Sequence, residues 1–540
     1  MNILTCIEEQ RLTLQATCDA AKTPQERNRL GQFATPSALA ADILDQARRL
    51  LPTDGPVRFL DPGFGTGAFH TALRHTFPGE QLASATGFEI DPHYAQPARA
   101  LWRDYPLEIR LGDFTTAVPP EPQERYNLIV CNPPYVRHHH LGAAEKIRLQ
   151  TATAAACGVH LGGLAGLYCH FIGLAHAWLA EDGLAAWLVP GEFMDVNYGG
   201  ALKKYLLQKV ELLRIHRFDP TDLQFADALV SSAVIWFRKC SPRPGHSVEF
   251  TYGGTHTQPT YTRIVPASAL HSEAKWTRFP VSDVRAANNG LKLADFFKIQ
   301  RGLATGDNKF FIMTREQIKE RNLPGEFFKP ILPGPRYVPM DTIEAEPDGT
   351  PKVEKQLFML DCRLPEAEIQ SRHPALWAYL ETGKPAVSER YLCHSRSPWY
   401  SQENRPPAPF VCTYMGRNLK RGRPIRFILN RSQATAANVY LMLYPKPLLA
   451  RALERDKELA CTIWNFLNNI EIKSLLGEGR VYGGGLYKME PKELANVPAD
   501  AIAALFPDAC LYPGTAVQES LWGSDEIMEK RYADYNGQPI

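Results

Sequence analysis

The chain has 540 residues, 44% hydrophobic and 22% charged, with a formal net charge of +2. This is ordinary globular composition, long enough for two or more domains, and it excludes a disordered or low-complexity chain. The apolar runs break well before membrane-spanning length. The 11 cysteines are scattered without zinc-type spacing, which excludes a disulfide scaffold as the default.

Met1 to Gln15 carries Glu8 and Glu9 and does not read as a signal peptide. Residues 1–29 read as a helical lead-in. Thr35 and Pro36 then open a helix, Thr35 as N-cap and Pro36 at the first helical position. The helix runs from Ser37 to Leu51 with Leu39, Ile43, Leu44 and Ala47 on one face. A strand ending at Asp61 follows. Gly63, Gly65 and Gly67 make a turn whose backbone can approach a ligand closely, and a helix starts near Ala68. A second strand, Ser84 to Ile90, carries Glu89 near its end. A third unit, Leu107 to Phe114, closes in Gly112-Asp113-Phe114. Taken singly, each piece reads equally well as a tight turn. In succession they place Asp61, Glu89 and Asp113 at the carboxyl edge of one parallel sheet, where such folds bind nucleotides.

The fourth strand, Tyr126 to Cys131, runs into Asn132-Pro133-Pro134-Tyr135. The prolines stop the strand and fix the corner. They leave a side-chain amide, a backbone carbonyl and an aromatic face, a set that suits a flat amino-bearing group. His138, His139 and His140 read as a mobile loop, since three adjacent histidines cannot all face one metal. The Ala- and Gly-rich stretch 142–166 reads as a flexible lid. A helix over 167–180 carries Leu167, Phe171, Leu174 and Trp178 as core. A strand from Leu184 to Val189, a helix over 199–211 and a strand from Leu229 to Phe237 complete the domain. Phe225 stands at the mouth of the sheet, as core or as ligand contact.

Residues 241–290 are poor in apolar runs and read as the connection to a second domain over 291–500, with 501–540 as a tail. Three stretches of that domain mix cations with glycine or aromatic residues. One contains Arg301. A second contains Arg417, Lys420, Arg421 and Arg423. The third contains Arg480, Tyr482 and Lys488 around a triple glycine. Such loops suit phosphate or base contact.

With these motifs in this order, residues 28–500 resemble the gamma-class DNA adenine-N6 methyltransferases of type II restriction-modification systems, of the Taq and Xho kind. The resemblance implies an α/β fold of the class I S-adenosylmethionine-dependent type, Rossmann-like, with a mixed but mostly parallel seven-stranded sheet over 30–240. An α+β target-recognition domain would follow. S-adenosylmethionine would be the methyl donor. Thr35 and Pro36 would flank its methionine end, and Asp61, Gly63, Gly65 and Gly67 its amino-acid and ribose region. Glu89 would bind the ribose hydroxyls, Ile90 the adenine, and Asp113 and Phe114 the adenine edge and face.

Asn132 and the carbonyl of Pro133 would accept the N6 hydrogens of a flipped target adenine, with Pro134 holding the corner. Tyr135 would stack on the base and Phe225 would pack on it from another side. The cations of the second domain would hold double-stranded DNA. No metal is called for. The resemblance further implies a monomer in the bacterial cytoplasm, acting at the nucleoid, off the membrane and paired with a separate restriction endonuclease. A fused nuclease is not expected, as the first motif begins near residue 31 and no carboxylate–lysine triad is evident. Asparagine rather than serine in the corner favours adenine over cytosine N4. An RNA base or a protein glutamine are the other planar acceptors.

Overall fold

The computed structural model describes residues 3–220, 222, 224–225, 231–280, 290–417, 423–482 and 485–506. The chain divides into two compact units, Met1–Ala286 with Tyr482–Gly485, and Ala287–Val481 with Leu486–Ile540.

The first unit is built on a nine-stranded sheet. In chain order the strands are β1 (Val57–Asp61), β2 (Leu82–Glu89), β3 (Glu108–Leu111), β4 (Tyr126–Cys131), β5 (Leu179–Pro190), β6 (Glu211–Arg217), β7 (Ser232–Arg238), β8 (Ser247–Gly254) and β9 (Pro259–Pro266). Their order across the sheet is β3-β2-β1-β4-β5-β7-β6-β8-β9. The five strands from β3 to β5 are parallel, and β7 runs antiparallel to both neighbours. This is the expected class I arrangement with two strands added at one edge. Residues 241–290, expected as a connection, therefore hold β8 and β9. Their hydrophilic look has a physical cause: β9 is an edge strand with most of its residues exposed, Thr260 and Thr262 among them.

The central strands read as continuous apolar runs because both faces are covered. On β4, Leu128 and Val130 enter one buried cluster, and Ile129 and Cys131 enter the other. The first cluster is closed by helix α3 (Ser37–Leu50) and α4 (Ala68–Thr76). The α3 face is the one expected, with Leu39, Ile43, Leu44 and Ala47 all buried. The lead-in forms α1 (Ile3–Ala20) and α2 (Pro24–Leu30), and α5 (Pro92–Trp102) follows β2.

Two expected loops are ordered differently. The stretch 142–166 contains helix α6 (Ala143–Cys157), and His138–His140 form one 3-10 turn. The α6 sequence carries almost no apolar stripe, since only Leu149, Thr153 and Cys157 are buried. Its alanines supply helix propensity without a pattern to read. The expected helix over 167–180 ends at Ala175, as α7 (Leu167–Ala175), and the one over 199–211 ends at Gln208. The strand expected from Leu229 is described from Ser232 onward.

The second unit is α+β. A five-stranded, largely antiparallel sheet is ordered Phe297–Arg301, Tyr440–Pro445, Phe410–Thr413, Phe427–Asn430 and Thr342–Ile343. The helix Leu459–Asn469 buries Ile463 and Leu467 in the same cluster as Phe427, Leu429 and Leu443. A four-stranded sheet and a short antiparallel pairing of Met415–Arg417 with Leu486–Lys488 complete it.

Candidate active site

Register brings the expected residues to one edge of the first sheet. Asp61 lies opposite Gly87, Glu89 opposite Leu111, and Leu60 opposite Ile129. The order reverses between β1 and β4, so their carboxyl ends open a crevice at the switch point. A cavity of about 350 Å³ occupies it, lined by Thr35, Asp61, Gly63, Gly65, Glu89, Ile90, Asp113, Phe114, Asn132 and Pro134 among others. That volume falls in the small-molecule range. Pro36, Gly67, Pro133, Tyr135 and Phe225 stand outside the lining.

The glycine turn is shaped by what fills the space beneath it. Phe64 is buried, and a Cβ on Gly87 would lie 2.2 Å from its ring. Gly67 holds φ +97°, and a Cβ there would lie 2.7 Å from the Phe64 ring and 2.8 Å from Trp102 Nε1. Gly67 thus starts α4 rather than touching the cavity. Glu89 is fixed across the turn, accepting from the Gly65 N–H at 2.9 Å and the Asp91 N–H at 2.9 Å. Each of its oxygens keeps a further lone pair. Burial raises its pKa above the ordinary value. Asp61 is buried too, and burial pushes its carboxyl up to about 7, against the Gly63 N–H and the Cys131 thiol that pull it down. A cation in the cavity would restore its charge.

Asp113 accepts from the Thr115 N–H and hydroxyl, each at 2.8 Å, and so caps the turn that follows β3. Phe114 packs into the Phe88, Phe171 and Trp178 cluster. Ile90, by contrast, is 57% exposed at the cavity wall. An apolar side chain left open there offers a face to a flat ring.

The corner after β4 has one distinctive polar arrangement. The Asn132 amide nitrogen donates to the Phe33 carbonyl at 2.9 Å and to Thr35 Oγ1 at 3.1 Å. A carbonyl can only accept, so the orientation of the amide is settled. Its other end, Oδ1, is buried without a hydrogen-bond partner. Thr35, expected as the N-cap of α3, is the anchor of this amide instead; Pro36 occupies the cap position and makes no side-chain cap bond.

The Tyr135 hydroxyl donates to the Leu188 carbonyl at 3.0 Å, and its ring meets Phe33 and Phe225 at centroid distances of 5.7 and 5.8 Å. Phe33 and Phe225 are themselves 6.0 Å apart. The three rings form one aromatic group beside the corner, with Phe225 buried in it. The segment carrying Phe33 and Thr35 reaches the corner because residue 31 is glycine. Gly31 has φ +66°, and a Cβ there would lie 2.3 Å from the Tyr135 nitrogen.

Sequence reasoning missed the wall supplied by α1. Arg11, Gln15 and Asp19 line the cavity. Arg11 is fully buried, ion-paired with Glu8 at 2.6 Å and donating to Thr66 Oγ1 at 3.2 Å. Thr66 donates to Gln15 Oε1 at 2.7 Å, and the Tyr94 hydroxyl to Asp19 Oδ1 at 2.8 Å. Lys22 and Gln32 both bind the Asp91 carboxylate. The available signal was polar side chains every fourth residue, which share one helix face.

In the second unit the expected cations divide. Arg301 is exposed, stacks over the Tyr414 ring at 4.0 Å and donates to the Asn438 carbonyl at 3.0 Å. Lys488 sits over the same ring at 5.3 Å and pairs with Glu490. Arg417 is exposed and Arg423 half-buried. Arg480 is held by Glu493 at 2.6 Å, so its first partner is internal rather than a ligand. Tyr482, which groups with the first unit, is half-buried at the end of the strand Arg480–Tyr482. Lys420 and Arg421 lie outside the described residues.

Residues 90–223 match the family model of the Eco57I restriction-modification methylase, and residues 275–510 that of the C-terminal domain of the type II methyltransferase M.Eco57I. The chain is 29% identical over 478 residues to the type II methyltransferase M.XamI of Xanthomonas campestris pv. amaranthicola, covering 87% of this chain and 85% of that one. It is 24% identical over 492 residues to M.AccI of Acinetobacter calcoaceticus, with the same coverage of 87% and 85%. Among solved structures, the type IIL restriction-modification enzyme MmeI in complex with DNA superposes with a TM-score of 0.52 at 15% identity. That match spans 82% of this chain and 66% of the longer one, and it shows a shared fold.

Proposed function

Because the chain belongs to the Eco57I-type methylases of type II restriction-modification systems, we propose that it methylates N6 of an adenine swung out of double-stranded DNA, protecting the site from a separate restriction endonuclease. S-adenosylmethionine is the methyl donor and supplies an electrophilic sulfonium methyl when bound. The residues fit it: an open apolar face at Ile90, the Glu89 carboxylate for a diol, and buried Asp61 for a cationic end. Asp113 and Phe114 complete the wall at the adenine end, and Thr35 begins the wall at the methionine end, with Pro36 behind it at the start of α3.

The observation that carries the adenine reading is the Asn132 amide, anchored at nitrogen by two acceptors while Oδ1 is buried without a partner. A buried acceptor left unpaired costs about 1–3 kcal/mol. It is offset when a donor arrives, and an exocyclic amine is such a donor. Asn132 Oδ1 would accept one N6 hydrogen and the Pro133 carbonyl the other. With both hydrogens held, the nitrogen lone pair leaves conjugation with the ring and is aimed at the methyl group. Fixed acceptors of this kind act by preorganisation, needing no rearrangement as charge develops on nitrogen.

The base would leave the duplex to reach the corner. Tyr135, immobilised through its hydroxyl, would offer a ring face to it, and Phe225 would back that ring within the aromatic group. In the second unit, Arg301 and Lys488 around Tyr414, together with Arg417, would contact the DNA backbone. The working form would be a monomer.

The test is long-read sequencing of modified bases in DNA from cells expressing the chain, with nucleoside mass spectrometry of the same DNA. N6-methyladenine at one recurring sequence is the expected result. N4-methylcytosine, or methyl transfer confined to RNA or protein, would overturn the adenine reading.

A further inference from the structure

The described second unit exposes six large hydrophobic side chains: Tyr337, Met340, Tyr391, Leu392, Met415 and Val439. Of these, Leu392 lines a cavity with Asn438, and Met415 and Val439 are sequence neighbours of Tyr414 and Asn438. Val439 follows Asn438, whose carbonyl accepts from Arg301, and its own carbonyl accepts from the Tyr414 N–H. Asn438 in turn lines a cavity of about 510 Å³ together with the loop Thr305–Lys309, Arg390 and Leu392. Leu392 thus opens on this cavity with exposed Tyr391 next to it in the chain, and exposed apolar groups of this kind mark contact surfaces.

Tyr391 is the extreme case, at 85% exposure. It stands on the short helix Tyr391–His394, which is clamped to the loop on three sides. Arg390 pairs with Asp307 at 2.8 Å. Arg396 donates to the carbonyls of Thr305 at 2.8 Å and Ala304 at 2.6 Å. Cys393 is buried against Gly306, where φ is +91° and a Cβ would lie 2.6 Å from the sulfur. Rigid presentation of an exposed ring carries no benefit within the monomer. It lowers the entropy lost when that ring is received by a partner.

The charge around the ring identifies the partner. Around the ring, Arg390 is matched by Asp307, while Arg396 and exposed Lys309 stand against the single carboxylate Glu389 of segment 388–396, and Arg301 reaches the same cavity through the Asn438 carbonyl. Cations flanking an apolar tip suit a polyanion with a stacked apolar interior.

Resting on the reading that this chain methylates duplex DNA, we infer that Tyr391 and Leu392 form a wedge that enters the duplex at a base step. The step unstacks against the tyrosine ring, and Lys309 and Arg301 lie at the flanking phosphates. Apolar wedges of this kind open base steps in other DNA complexes. A wedge would select deformable steps in the target.

The test uses the full chain and a duplex carrying its methylated sequence, with 2-aminopurine placed in turn at each position other than the target base. Wild type raises the fluorescence at one step. The double variant Tyr391→Ala, Leu392→Ala loses that rise, and its KM for DNA increases about ten- to hundredfold, the range for loss of an aromatic–base contact. Its S-adenosylmethionine binding and thermal unfolding stay at wild-type values. Tyr391→Trp keeps the rise. A double variant with wild-type KM and an unchanged fluorescence pattern overturns the wedge alone. A wild-type chain that methylates no duplex overturns the parent reading, and the wedge with it.

Discussion

Replacing Asn132 by alanine should separate catalysis from folding. The side chain makes two hydrogen bonds through Nδ2, and each contributes about 0.5–1.5 kcal/mol net. Its Oδ1 is buried without a partner, which costs about 1–3 kcal/mol in the free protein. Alanine removes both the bonds and the penalty, so the two offset and stability changes by no more than about 2 kcal/mol. The chemical step has no such compensation. Losing one preorganised group that stabilises developing charge costs about 10²–10³ in rate. The assay is single-turnover transfer of a labelled methyl group to DNA, run beside calorimetric titration with S-adenosylmethionine and thermal unfolding. Expected are a rate lower by at least about 10², cofactor binding within a few-fold of wild type, and a melting point within a few degrees. A variant that keeps more than about a tenth of the wild-type rate refutes the role argued for Oδ1. A variant that melts far earlier shows that Asn132 serves the fold instead.

Two other outcomes follow from the site. Gly31→Ala places a Cβ 2.3 Å from a backbone nitrogen at φ +66°, where no side chain can give way. The Phe33–Thr35 segment must then shift from Asn132, with a loss of about 2–5 kcal/mol in stability and a sharp fall in rate, read by denaturant unfolding and single-turnover kinetics. Asp61 titrates at about 7 in the free protein, so binding of the cationic methyl donor should weaken as pH falls below 7. Calorimetry should find up to about tenfold weaker binding per pH unit, with the slope absent in Asp61→Asn.

Acid stability should be set by buried histidines. Burial lowers His70 and His216 to about 3, and His170 and His176 to about 4. Each is neutral when folded and takes a proton near pH 6.5 when unfolded. Their contribution is complete above 6.5 and is lost as pH falls toward the folded values. Asp61 and Glu89, both raised by burial, act with the opposite sign, favouring the folded state at lower pH. His256, which burial lowers well below its ordinary value, acts with the other four histidines, and five groups against two leave a melting point that rises from pH 5 to 6.5. A flat profile over that interval would contradict the burial of these rings.

Much of the first unit was legible because its central strands are covered on both faces. The runs Val57–Asp61 and Tyr126–Cys131 are continuous and apolar, and glycines or prolines punctuate their ends. That punctuation marked Asp61 and Asn132 without coordinates, and the order of the motifs carried the family resemblance. The edge strand β9 was not legible. One half-solvated strand carries little of the period-two signal.

The sequence by itself determined which residue types stand at the strand ends, and with them the class of reaction. Tertiary structure alone decided which of those groups are still available to a ligand. Asn132 turns its amide nitrogen toward Phe33 and Thr35, nearly a hundred residues earlier in the chain, and only that contact leaves Oδ1 facing the site. Arg480 reads like Arg301 in the sequence, yet Arg480 is bound by Glu493, while Arg301 stacks on Tyr414 at the surface. The physical reason is the same in each case. Composition and spacing determine which charges and hydrogen-bonding groups the chain carries, and distant packing determines which of them are already satisfied when it folds.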